Sequence, residues 1–269
     1  MLQLSKTSLP RHTREELRGF QQRIDALPNY EARVQSAKTL FPQKNRADNP
    51  TFKSVRKTLS QMCSGAQRCA YCEDSSADEV EHIKPKDLFP ESTFVWPNYL
   101  YACGPCNGRK NNHFAVLLYG TGNLVDVTRR VGEPIIPPTR GRPACINPRR
   151  ENALVFMELD LVDTFYFLPS APLGSIEYVR ADYTITVLRL NERDLLPAAR
   201  REAYLSYRAR LVEYIEKRNA GRSKKRLDDL VKALKRMGHP TVWAEMKRQQ
   251  GLIQELRDLF ATAPEALAW

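Results

Sequence analysis

Two Cys-x-x-C pairs, Cys69-Ala-Tyr-Cys72 and Cys103-Gly-Pro-Cys106, stand thirty residues apart in a chain of 269. One such pair could be a redox dithiol or chance, but two together have the spacing of a tetrahedral zinc site. Four thiolates would close the shell and leave no position for water, so the zinc expected here is structural and fastens two distant segments. Cys63 and Cys145 fall outside that spacing and read as small buried residues or free thiols. Inside the frame lie Glu79-Val80-Glu81-His82-Ile83-Lys84-Pro85-Lys86 and Trp96-Pro97-Asn98-Tyr99-Leu100, and the second pair runs on as Cys106-Asn107-Gly108-Arg109-Lys110. An architectural ribbon needs none of these residues, whereas an imidazole among carboxylates, amides and cations has the makings of hydrolytic chemistry.

In that order and inside that frame, these residues resemble the HNH endonucleases, whose nuclease unit is the ββα-metal fold. The resemblance covers about residues 69–111, with the three signature positions on His82, Asn98 and Asn107 and the cysteine frame matching the zinc-bearing branch. It implies a metal-dependent endonuclease that hydrolyses phosphodiester bonds and leaves 5′-phosphate and 3′-hydroxyl ends. The chemistry is consistent with the residue types: an imidazole titrates near working pH and suits a general base, while a hard divalent ion, Mg²⁺ or Mn²⁺, neutralises the phosphate and the leaving oxygen. Carried over position by position, the resemblance makes His82 the base, Glu81 a metal ligand immediately before it, Asn107 an amide ligand to the same ion, and Asn98 the residue that orients the base.

Neighbouring strand residues face opposite ways, so Glu81 would need local twist to share a site with His82. Asn111, four residues beyond Asn107, is a further candidate through water, and Lys84, Lys86, Arg109 and Lys110 are candidate phosphate-binding residues. Taken without the frame, Asn98 and Asn107 are equally turn formers and the four cations equally a solvated rim. His12 and His113 have no such context, and His239 before Pro240 reads as a helix cap.

Wider sequence words, Cys69-Ala-Tyr-Cys72-Glu73, Phe89-Pro90 and Thr184-Ile185-Thr186-Val187-Leu188-Arg189-Leu190-Asn191 among them, look like the HNH subunit of Septu-type and retron-linked bacterial anti-phage systems. That likeness implies an ABC-type ATPase partner, with a retron reverse transcriptase and its DNA as further partners. The family commonly has Phe where Ile83 stands, a change expected to be silent. The alternative is a catalytically silent, zinc-stabilised nucleic-acid-binding or scaffold subunit of an ATPase complex.

Composition agrees with an anionic partner. Lys and Arg number 42 against 31 Asp and Glu, a net charge of +11, which favours DNA, or RNA, through phosphate neutralisation. Apolar residues at 42% and charged residues at 27% are those of a globular chain, with no apolar run of membrane length and no secretory signal, so a cytoplasmic protein without membrane contact is expected.

The elements that must position these residues give an α+β, predominantly helical fold. Residues 1–66 read as helical, with Leu17, Phe20, Ile24 and Leu27 on one face and a second helix capped by Asn49 with Pro50 first inside. Residues 67–131 form the HNH module with its zinc knuckles, and 132–150 a Pro- and Arg-rich connector draped over the surface. Residues 151–269 read as strands over 154–159, 164–168 and 183–190, followed by helices. The helices carry Tyr204, Tyr207, Leu211 and Ile215, then Leu227, Leu230, Val231 and Leu234, then Trp243, and last Leu256 and Phe260. The cations of 200–236 fit a backbone-binding face and the wet side of two amphipathic helices equally well.

Overall fold

The computed structural model describes residues 1–269 and is a mixed α+β fold, 49% helical. Helix α1, Arg11–Asp25, buries Leu17, Phe20 and Ile24 on one side. Helix α2, Tyr30–Lys44, opens with Asn29 accepting from the amide of Ala32 at 2.8 Å. Helix α3, Pro50–Gln61, opens as the sequence predicts, with Asn49 accepting from the amide of Phe52 at 3.1 Å and Pro50 in the first turn. Phe20, Phe41 and Phe52 meet Phe94 and Tyr99 in an aromatic cluster that joins these helices to the central module.

Strand β1, Glu79–His82, pairs antiparallel with β2, Tyr99–Ala102, in the register Glu79 to Ala102 through His82 to Tyr99. Between them the chain makes two 3₁₀ turns, Pro90–Ser92 and Trp96–Asn98. Helix α4, Gly104–Lys110, follows β2 directly. The next three strands, β3 (Ala115–Leu118), β4 (Leu124–Asp126) and β5 (Gly141–Pro143), form an antiparallel sheet in the order β4-β3-β5.

Sheet β4-β3-β5 corrects the expectation of a connector lying wholly on the surface, because β5 pairs with β3 and Ala144, Cys145 and Ile146 behind it are buried. Gly141 is required at that pairing: a Cβ there would stand 2.5 Å from the Leu117 carbonyl oxygen. Cys145 is thus a small buried residue, and Cys63 is half-buried with its thiol donating to the Leu59 carbonyl at 3.4 Å.

The C-terminal part begins with a hairpin, β6 (Met157–Leu159) and β7 (Phe167–Pro169). Both strands are shorter than their sequence windows. Ala153–Val155 forms a 3₁₀ turn, and Thr164 closes a turn onto Asp160, with its amide and hydroxyl 2.8 and 2.7 Å from one carboxylate oxygen. The strand expected at 183–190 is instead the end of helix α5, Ile176–Val187.

Tertiary contacts override the β propensity of Thr184, Ile185, Thr186 and Val187. Ser175 caps α5, buried Arg180 forks onto Glu151 at 2.6 and 2.8 Å, and Thr184 accepts from the amide of Ile146 at 2.9 Å. Helices α6 (Leu195–Asn219), α7 (Lys224–Lys235), α8 (Pro240–Gln249) and α9 (Gln254–Thr262) complete the chain. Tyr204, Tyr207 and Tyr214 are core residues, in the same apolar cluster as the four knuckle cysteines. No helix is long and apolar enough to cross a membrane.

Candidate metal centre and histidine cavity

Cys69, Cys72, Cys103 and Cys106 are all buried, and their sulfurs lie within 4.8 Å of one another, with Cys72 and Cys103 at 3.8 Å. A zinc ion with bonds of about 2.3 Å to four tetrahedral sulfurs sets them roughly 3.8 Å apart, so the cluster fits zinc. Each knuckle is a tight turn: Glu73 donates its amide to the Cys69 carbonyl and Asn107 its amide to the Cys103 carbonyl, both at 2.9 Å. Hydrogen bonds among the thiols pull Cys72 and Cys103 below the ordinary thiol range and push Cys69 and Cys106 above it, as expected of sulfurs crowded enough to share protons.

Four thiolates around Zn²⁺ carry a net charge of −2, and Arg193 stands over them with Nη1 3.5 Å from the Cys106 sulfur. Glu73, next to the first knuckle, ties it to α8 by accepting from the amide and hydroxyl of Thr241 at 3.1 and 2.7 Å, and it pairs with the Met1 α-ammonium at 2.9 Å.

His82 ends β1 and is buried, its ring edge-on to Phe41 with centroids 4.3 Å apart. Its Nε2 lies 2.9 Å from the Thr93 carbonyl oxygen. A carbonyl only accepts, so Nε2 carries the proton and Nδ1 keeps its lone pair. Burial, reinforced by the charge of Lys86, lowers the imidazole to about 3, which corrects the expectation of a group titrating near working pH: the ring is neutral there but a weaker base than a free imidazole.

Asn98 does not touch this ring, contrary to the role expected from the resemblance. Its Oδ1 accepts from the Lys84 amide at 2.8 Å and its Nδ2 donates to the Lys84 and Ser92 carbonyls at 3.0 and 2.9 Å. The side chain therefore staples the segments before and after the intervening loop, and the tautomer is set by Thr93. Tyr99 holds that same carbonyl through its hydroxyl at 2.7 Å.

The two sides of β1 meet in one cavity of about 570 Å³, lined by Glu79, Glu81, His82, Lys86, Asn107 and Asn111 among others. Glu81 is buried and its Oε1 is 2.6 Å from the Lys110 ammonium, with the Tyr71 hydroxyl at 3.5 Å. Burial raises the Glu81 carboxyl, and Lys110 works against that rise. The backbone amide of His82 also approaches this carboxylate and lowers it. Asn107 donates Nδ2 to Glu79 Oε2 at 2.5 Å, which leaves its Oδ1 without a protein partner. The cavity thus offers hard oxygen donors of the kind Mg²⁺ and Mn²⁺ take.

The expected phosphate-binding residues separate. Lys110 is fully buried and donates to the His82 carbonyl at 2.8 Å as well as pairing with Glu81. It is corrected from a surface cation to an internal tie between α4 and β1, for which its burial leaves no other role. Lys86 lines the histidine cavity and sits 5.7 Å above the Phe41 ring. Lys84 is exposed on the other side of the turn, over Phe89, and Arg109 is exposed on α4.

His239 occupies the position before α8 but caps nothing; at a φ of 53° its ring pairs with Asp74 at 3.4 Å. Several cations of 200–236 are tethers: Arg200 is buried on the Phe165 and Leu190 carbonyls, and Arg208 and Arg218 pair with Glu255 and Glu265. Sequence reading missed three contributors. Glu79 could have been found from its place two residues before Glu81 on the same strand face. Arg193, 87 positions beyond Cys106, and the backbone carbonyl of Thr93 carry no sequence signal.

No family model matches the chain. It is similar to the Septu protein PtuB of Bacillus thuringiensis, 38% identical over 64 residues, which are 22% of this chain and 24% of that protein. The match spans about a quarter of the relative's length, and it makes this chain a partial homologue of a Septu protein.

Proposed function

We propose that this chain is a metal-dependent endonuclease of the HNH kind that hydrolyses phosphodiester bonds of DNA, serving as the nuclease of a bacterial anti-phage defence complex. The observation that carries the reading is the neutral His82 imidazole, pinned through Nε2 with Nδ1 free, in the same cavity as Glu79, Glu81 and Asn107. Glu81 through Oε2 and Asn107 through Oδ1 would hold Mg²⁺ or Mn²⁺, with Glu79 beside them; when bound, that ion neutralises the phosphate and the leaving oxygen.

The protein's own part is acid–base and positional. His82 Nδ1 takes the proton of the attacking water as its oxygen bonds to phosphorus, the bond from phosphorus to the 3′ oxygen breaks, and that oxygen takes a proton from solvent water, so the ends are a 5′-phosphate and a 3′-hydroxyl. Thr93 stabilises the imidazolium by accepting from its Nε2–H. Asn98 holds the loop that carries Thr93, and Lys86 is placed to meet a phosphate. The partner ATPase, and the reverse transcriptase with its DNA, join this reading from the sequence resemblance.

A silent zinc-stabilised scaffold is favoured by one observation, the Lys110 ammonium already neutralising Glu81. Plasmid nicking with Mg²⁺ or Mn²⁺, by the chain alone and with its co-purified partner, separates the two. Cleavage by the wild type and a loss of about 100-fold or more in His82→Ala at unchanged circular dichroism support the nuclease. Equal cleavage by His82→Ala overturns the base assignment, and no cleavage in either setting leaves the scaffold.

A further inference from the structure

Outside the histidine cavity, unpaired cations gather along a pair of adjoining grooves that share Pro97 and Arg150. One, of about 370 Å³, lies across the Ile83–Lys84 turn from His82 and carries Lys84, Arg142 and Arg150. The other, of about 580 Å³, carries Lys6, Arg14 and Arg149 beside Trp96. The single acid along both is Glu151, which is already forked by Arg180. The histidine cavity differs, since Asp78, Glu79 and Glu81 outnumber Arg56 and Lys86 there.

Arg149 is the telling residue. It is half-buried, stacked on Trp96 with its guanidinium carbon 4.4 Å from the ring centroid, and its one side-chain hydrogen bond goes to the Met62 sulfur. Burial pulls this guanidinium below its ordinary value, with no carboxylate to offset the cost. Charges held out of water are normally paired, so a pre-oriented, planar, unpaired guanidinium calls for an anion from outside. Lys84, Arg150, Lys6 and Arg14 are exposed and make no ion pair, and Arg142 only reaches Glu151 at 4.0 Å.

We infer that these two grooves form one track for the phosphate backbone of a nucleic-acid strand, flanking the His82 cavity and separate from it. This rests on the nuclease reading for its purpose but not for its test, which reads binding without cleavage. Arg149 anchors one phosphate, and the exposed cations follow the strand on either side of it.

The test is fluorescence anisotropy of labelled 25-nucleotide single-stranded DNA and the matching duplex with the full chain, without added divalent ion, across a salt series. Combined Lys84→Gln, Arg142→Gln and Arg150→Gln substitutions, all at exposed positions, are expected to weaken binding about tenfold or more. They should also flatten the slope of log affinity against log salt by about 2 to 3. Arg149→Gln alone is expected to weaken binding several-fold; should its packing on Trp96 make it fold poorly, the triple variant decides. Arg222→Gln, Lys225→Gln and Lys235→Gln together remove the same charge from the C-terminal helices and are expected to change little.

Unchanged binding by the triple variant on both DNA forms overturns the track, as does an equal loss from the helical variant. Groove-dependent binding by a chain that cuts nothing upholds the track while removing the nuclease. Cleavage with groove-independent binding does the reverse.

Discussion

The sulfur cluster and the histidine cavity share the short helix α4 and are built on opposite principles. The cluster has four identical soft ligands, all buried, closing on one another and backed by the C-terminal helices. The cavity has mixed hard donors, backs onto the aromatic core of the N-terminal helices, and leaves His82 Nδ1 and Asn107 Oδ1 without protein partners beside the Glu81 carboxylate. A closed set suits an ion that stays; an open set suits ions and substrates that come and go. The fold uses the first to hold the second, since the knuckle at Cys103 and Cys106 is also the start of the helix that carries Asn107 and Lys110.

The largest effect should come from breaking the closed site. Cys103→Ser is expected to drop bound zinc from about one per chain to well below it, and to lower the thermal midpoint by about 10 °C or more, because metal binding here is folding energy. Metal analysis with a thermal melt reads both, and a folded, zinc-free wild type would refute the structural role.

Breaking the tie between the two sites comes next. Lys110→Ala strands the buried Glu81 charge and should cost about 3–5 kcal/mol, while Lys110→Met combined with Glu81→Gln should cost clearly less. Denaturant titration of both variants measures the difference, and equal losses would mean the pair is not coupled. Asn98→Ala removes three hydrogen bonds and is expected to cost about 2–3 kcal/mol. Its nicking rate should fall through disorder of the loop and not through a changed histidine titration.

The smallest effect lies away from both sites, at Glu151. Burial pushes this carboxyl up, but the fork from Arg180 and the neighbouring charges pull it further down, so its net pKa is below the ordinary value. A group depressed in the fold contributes stability that is present above its unfolded pKa of about 4.5 and is lost as pH falls through the lower folded value. Arg180→Met should therefore reduce stability near neutrality and flatten its acid dependence below about pH 5. Parallel pH profiles for wild type and variant would contradict the assignment.

What could be read in the chain was chemistry of close spacing. The knuckles, the Asn49 and Pro50 start of α3, the apolar faces of α1 and α3, and the tyrosines of α6 all follow from local pattern. Helix α2 escaped because Ala32, Leu40 and Pro42 blur the face made by Val34, Ala37 and Phe41. Helix α5 was misread as strand because its β-branched run obeys Arg180 and Thr184, whose partners lie on a segment some thirty to forty residues earlier. At the candidate site, residue types located His82, Glu81 and Asn107, but hydrogen-bond roles were not legible: the carbonyl of Thr93 does what was expected of Asn98, and Lys110 turned inward instead of toward solvent.

The most direct test of the central claim is manganese anomalous diffraction from crystals of the full chain grown with zinc and soaked in Mn²⁺. The account predicts a manganese peak coordinated by Glu81 and Asn107, near Glu79, with His82 Nδ1 turned to the same space, and a separate zinc peak among the four sulfurs. Manganese found elsewhere, with the cavity holding no ion, would contradict it.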